Sequence, residues 1–202
     1  MVWIDIARIS LAGAILGLII GKILVEKPRY LIILHPRYWI SSAKSASRKR
    51  WIRIISIGVI FAGLITIVGG VVSELVTSYW GPAMAEENIF TQIAGVSIIL
   101  LYASIIILPI FEEWIFRGIL LEEIARWKNS RWWGLILSSF VFALFHLSNP
   151  GTLPVAAIPL VIGGLILGGC YLVGGLAAAV LAHILYNVFP SILFLLSGLV
   201  GS

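Results

Sequence analysis

The chain has 202 residues, 60% of them hydrophobic and 11% charged, with a net charge of +5. A soluble domain carries about 25% charged residues, so this composition excludes a water-soluble globule. Recurring runs of about 20 apolar residues instead specify a polytopic helical membrane protein.

The first run covers residues 2–25. It has no basic start and no clear small-x-small cleavage site, and it exceeds a signal-peptide core, so it reads as a retained spanning helix. Its segment "GAILGLIIG" puts Gly13, Gly17 and Gly21 on one face, which favours close helix contact, by internal packing or in a homodimer. A polar, basic segment follows at 26–53, and its "SAKSASRKRW" portion suits a piece lying on lipid headgroups. The second run is 54–77, and the third is 89–111, continuing into "FEEWIFRG". The whole stretch from 89 to 127 is too long for one straight spanning helix, and Pro109 is expected to kink it. The fourth run is 132–147, the fifth 155–173, with Gly164 and Gly168 on one face, and the sixth 176–196. Cys170 rules out an internal disulfide and reads as a small packing residue.

The expected fold is thus all-α, a membrane bundle of about six transmembrane helices. Residues 1–88 form two N-terminal helices and a basic loop, and residues 89–202 form a four-helix core, within one integral domain. Nine basic residues lie from Lys22 to Arg53, and Arg126, Lys128 and Arg131 lie between the third and fourth runs, so twelve of fourteen share one face. The positive-inside rule makes that face, with loop 26–53, cytoplasmic in a cell membrane. Tryptophans 39, 51, 80, 127, 132 and 133 fall near expected helix ends, as interfacial aromatics do. The same bias explains the basic run without nucleic acid, so membrane lipids, and no nucleic acid, are the expected partners. His35, beside Pro36, receives no function.

A charge in hydrocarbon costs several kcal/mol and is therefore paired, solvated or functional. Glu112, Glu113 and Arg117 lie in the third run, His146 ends "FALFH" in the fourth, and "HILYN" in the sixth holds His183 and Asn187. Glu113 and Arg117 are four apart and share a face, which suits an ion pair, while Glu112 is rotated about 100° away. Phe142 and His146 repeat the spacing, as do His183 and Asn187. Glu112 lies 17 residues before Asn129 and His146 lies 17 after it. At about 1.5 Å per residue, antiparallel neighbours would bring the two level. His183, eight residues past Gly175, meets them only if that turn sits higher than the Asn129 turn.

A carboxylate beside a histidine can take a proton from water and aim the nucleophile, and a His and an Asn on one face can donate to an oxyanion. That is amide hydrolysis without a covalent intermediate. Ser138, Ser139 and Ser148 lie near His146, but helix serines commonly bond their own backbone. Zinc held by Glu112, His146 and His183 is the alternative. The HExxH spacing is absent and Arg117 lowers the available negative charge, so a metal-free site without a cofactor is expected. A water-filled cavity should reach this cluster from the cytoplasmic side. A scaffold that binds a peptide, or a proton-coupled transporter, are the competing readings; the latter lacks an inverted repeat.

"PIFEEWIFRG", "SSFVFALFH" and "GGLAAAVLAHILYN" resemble the three motifs of the CAAX protease and bacteriocin-processing family of intramembrane proteases, which includes the Rce-type CAAX prenyl endopeptidase. The EExxxR motif matches Glu112, Glu113 and Arg117, FxxxH matches Phe142 and His146, and HxxxN matches His183 and Asn187. The resemblance covers about residues 105–190. It implies a glutamate protease in which Glu112, helped by His146, activates water. His183 and Asn187 would form the oxyanion site, and Glu113 and Arg117 would hold the first motif in place. It implies a peptide or prenylated protein substrate, cut near its C-terminus in the eukaryotic members. Relatives linked to bacteriocin immunity leave a non-enzymatic binding role as the alternative.

Overall fold

The computed structural model describes residues 2–85, 93 and 95–200, with side chains described for 3–85, 93 and 95–189. Among these residues the fold is helical apart from one isolated antiparallel bridge, Met84 to Thr152. In chain order the helices are α1 (Val2–Glu26), α2 (Pro36–Ser45), α3 (Arg48–Trp80), α4 (Ile98–Trp127), α5 (Arg131–His146), α6 (Ala157–Gly174) and α7 (Leu176–Val200). Short 3-10 turns fill Pro28–Leu34 and Pro154–Ala156.

Among the described residues four helices, α1, α3, α4 and α6, are long and apolar enough to cross a membrane. The sixteen residues of α5 extend only about 24 Å at 1.5 Å per residue. Large apolar side chains such as Leu18, Ile67 and Ile99 face outward, while Glu113, Arg117, Ser138, Ser139 and His183 are buried. This inverts a soluble protein. In lipid, apolar surface gains nothing by leaving its solvent, so helices associate by close packing and polar pairing.

The segment expected to be a loop at 26–53 is largely helical. His35 accepts from the Arg37 N–H at 3.2 Å through Nδ1 and so caps α2, with Pro36 in the first turn. Ser47 accepts from Arg50 N–H at 3.3 Å and starts α3 six residues before the second apolar run begins. The 33 residues of α3 extend about 50 Å, beyond the ~30 Å hydrocarbon layer, so its basic first turns project past it. The start of the third run, at 89–92, lies outside the described residues. In α4, Pro109 sits within regular α-helix, and the irregularity comes later, as a π-helical stretch at Trp114–Leu121.

Two cores organise the bundle. Ala62, Ile65, Leu167, Cys170, Ala178, Ala179 and Ala182 form one between α3, α6 and α7, where small side chains bring backbones close. The other joins Leu16 and Ile20 of α1 and Tyr30 to Trp114, Phe116, Ile119, Leu120 and Phe142. Trp114 donates to the Tyr30 carbonyl at 3.0 Å, and the Tyr30 hydroxyl donates to Glu123 Oε1 at 2.6 Å. Burial, reinforced by the Glu123 carboxylate, raises the Tyr30 phenol above its ordinary pKa, so it remains a donor. Lys27 and Arg126 also pair with Glu123 and tie the polar segment to the end of α4.

The two glycine patterns differ. A Cβ on Gly164 would lie 3.0 Å from Ser139 Cβ and one on Gly168 2.3 Å from Leu135, so this stripe packs internally against α5. On Gly13, Gly17 or Gly21 an added Cβ would meet nothing within 4 Å. The tightest backbone approach is at Gly134, where a Cβ would stand 2.6 Å from the Leu121 carbonyl oxygen. Gly134→Val is expected to destabilise the α4–α5 contact by about 1–3 kcal/mol or more, read as a lowered thermal midpoint in detergent. An unchanged midpoint would refute that approach.

Candidate active site

The π-helical stretch begins directly after Glu113, so Glu112 and Glu113 occupy the last turn of regular α-helix before the geometry changes. Glu113 points inward and is fully buried. Arg117 Nη1 donates to Glu113 Oε1 at 2.7 Å, and Nη2 donates to the Gly164 carbonyl at 3.0 Å. The guanidinium also lies over the Phe142 ring, 4.6 Å from its centroid. Charge, backbone dipole and π-face thus compensate a cation that lipid would reject.

Glu113 Oε1 has a second partner, His183 Nδ1 at 2.8 Å. A carboxylate only accepts, so this nitrogen carries the proton and Nε2 is the ring atom turned to the site. His146 is held alike. Its Nδ1 donates to the Phe142 carbonyl at 2.9 Å, and its ring stacks on Phe142 with centroids 4.1 Å apart. Both Nε2 atoms converge on Glu112 Oε2, His183 at 3.6 Å and His146 at 3.7 Å. These separations exceed a direct hydrogen bond and suit a bridging water.

Glu112, His146, His183 and Asn187 line one cavity of about 300 Å³, with Phe142 at its wall. Glu113 and Arg117 lie behind it. The structure therefore brings Glu112, His146 and His183 together, including the histidine whose depth the turn arithmetic left open. Glu112 and His183 belong to α4 and α7, and His146 ends α5, so three helices meet here. Among the described residues no group of three or more His, Cys, Asp or Glu is spaced to hold a metal ion.

The cavity reaches the cluster from the opposite end to the one expected. Ser73, Ala83, Met84 and Thr152 line it, and these lie at the end remote from the basic residues. Toward the basic end α4 continues into the buried side chains of Phe116, Arg117 and Leu121, none of which lines the cavity. Paired backbone partly covers the far end: Ala85 N–H donates to Gly151 carbonyl at 2.8 Å and Leu153 N–H to Ala83 carbonyl at 3.0 Å. Arg8 of α1 reaches the same loop through the Leu147 and Thr152 carbonyls.

The nearby serines bond their own helices. Ser138 and Ser139 donate to the Leu135 carbonyl at 3.2 and 2.7 Å, and Ser148 donates to that of Phe145 at 2.6 Å. Sequence reading missed two features. The Gly164 carbonyl as an arginine partner has no side-chain signature. The Glu113–His183 bond joins positions 70 apart, and i+4 spacing paired Glu113 with Arg117 alone.

Residues 94–189, just under half of the chain, match the family model described as type II CAAX prenyl endopeptidase Rce1-like. No curated protein matches the chain. No solved structure matches it either. The matched segment contains all seven residues of the site and its supports, and over it the chain is similar to the Rce1-like family of CAAX endopeptidases, in keeping with its helices long and apolar enough to cross a membrane.

Proposed function

We propose that the chain is an intramembrane endopeptidase that hydrolyses a peptide bond with a glutamate-activated water. The observation that carries this reading is the convergence of both histidine Nε2 atoms on Glu112 Oε2, at 3.6–3.7 Å, beside a cavity. A water bound there donates to Glu112 and to His146 Nε2. Glu112 takes its proton as the oxygen attacks the scissile carbonyl carbon. The developing oxyanion is met by the Asn187 amide and by His183. His183 donates from Nε2 while Nδ1 bonds Glu113, so it acts as the imidazolium, its charge balanced by the flanking carboxylates. The C–N bond then breaks, and the proton held by Glu112 passes to the leaving amine. Glu113 and Arg117 orient His183 and the end of α4. No step is routed through a metal.

The test is cleavage of fluorogenic prenylated and unprenylated peptides by purified protein, with and without a chelator. Cleavage that survives the chelator is the expected result. Absence of cleavage of every membrane-associated peptide favours a binding or immunity role on the same fold.

The basic end, with loop 26–53, is assigned to the cytoplasm. The cavity then opens to the outer half of the bilayer, which favours substrates presented from that side. Because Cys170 is buried, a new cysteine is the only reactive thiol expected among the described residues. Met84→Cys in intact cells should react with an impermeant maleimide, and Lys49→Cys should react only after lysis. The reverse pattern overturns this orientation.

A further inference from the structure

A second cavity, of about 540 Å³, lies at the other, basic end of the molecule. It is unconnected with the hydrolytic chemistry. Trp39 of α2, Arg50 and Arg53 of α3 and Arg131 at the start of α5 line it, together with Glu122 and Tyr171. Three arginines thus face one carboxylate, and that carboxylate already accepts the Tyr171 hydroxyl at 3.0 Å. Arg53 Nη2 donates to the Val173 carbonyl at 2.8 Å and so covers the carbonyl end of α6. Arg50 and Arg131 are exposed, and among the described residues no hydrogen bond or ion pair engages either side chain. The cavity therefore holds net positive charge with two guanidinium groups available to a ligand.

Its surroundings fix the depth. Exposed Trp51 and Trp132 stand at the same end, as aromatics do at the headgroup level. Ile33, Trp51 and Ile54 line the cavity and present apolar surface beside the charge. A soluble anion needs no such surface, whereas a lipid's acyl chains do. Guanidinium groups pair well with phosphate oxygens.

From this arrangement we propose that the cavity binds the phosphate headgroup of an anionic phospholipid, with its acyl chains against the apolar rim. The test uses the whole protein in phosphatidylcholine nanodiscs, with increasing phosphatidylglycerol, and reads lipid retention by native mass spectrometry. Phosphatidylglycerol should be retained in preference to phosphatidylcholine. Arg50→Gln with Arg131→Gln should weaken that retention about 25-fold, roughly fivefold for each cation lost near an anionic surface. The corresponding lysine pair keeps the charge and should keep most of the retention. Arg48→Gln with Lys49→Gln, outside the cavity lining, should leave it unchanged. An unaltered thermal midpoint in pure phosphatidylcholine shows that each variant folds. Equal retention of both lipids, or wild-type retention by the Arg50/Arg131 glutamine pair, overturns the proposal. Displacement of phosphatidylglycerol by millimolar glycerol 3-phosphate would assign the same phosphate chemistry to a soluble ester and overturn the lipid assignment.

Discussion

Glu112→Gln is expected to lower peptide cleavage at least about a thousandfold, within the range that loss of a positioned general base produces. The substitution keeps the shape and the hydrogen-bonding reach of the side chain but removes the ability to accept water's proton. It should not disturb the fold, because among the described residues Glu112 makes no hydrogen bond within 3.5 Å; its two histidine neighbours stand at 3.6 and 3.7 Å. Membrane insertion and the thermal midpoint should therefore stay at wild-type values while activity disappears. Full activity in the variant would sink the hydrolytic assignment. Retained biological function with cleavage abolished would instead favour the binding role.

Arg117→Met should have the largest effect on stability. The guanidinium and the Glu113 carboxylate are both at most 1% exposed, so removing the cation takes away the carboxylate's permanent counter-charge in a dry interior and leaves it the His183 ring. Breaking such a pair costs about 3–5 kcal/mol, which for a chain of this size lowers the midpoint by roughly 10 °C. Glu113→Gln with Arg117→Met removes both charges and should recover much of the loss, since two neutral groups leave no unpaired ion. Activity should not recover, because His183 then lacks the carboxylate that orients its ring and balances its charge. Thermal unfolding in detergent and peptide cleavage, measured on single and double variants together, separate these effects. If the double variant is no more stable than Arg117→Met, the unpaired-charge account fails.

Cysteine and serine chemistry illustrate how far local reading carries. Cys170 packs in the alanine-rich core, and Ser138, Ser139 and Ser148 bond backbone carbonyls three or four residues back. Both outcomes follow from short-range rules. The depth of His183 did not, because it depends on how high the Gly175 turn sits among its neighbours. Gly175, with φ at +79°, ends α6 and lets α7 start at once. Gly174 permits the close approach of Ile57, which stands 2.7 Å from an added Cβ. Nothing in the residues near His183 encodes that contact.

The amino-acid sequence alone determined the helical membrane class, the basic end, and the intrahelical pairing of Glu113 with Arg117. Hydropathy, charge asymmetry and i+4 spacing are properties of consecutive residues, and they need no knowledge of neighbours. Only the tertiary structure decided that His183 bonds Glu113, that Arg117 takes the Gly164 carbonyl, that α4 turns π-helical after Glu113, and that the cavity opens away from the basic end. Those features arise where separate helices meet. In lipid, packing shape and polar satisfaction between helices, with no contribution from periodicity along the chain, choose which faces touch.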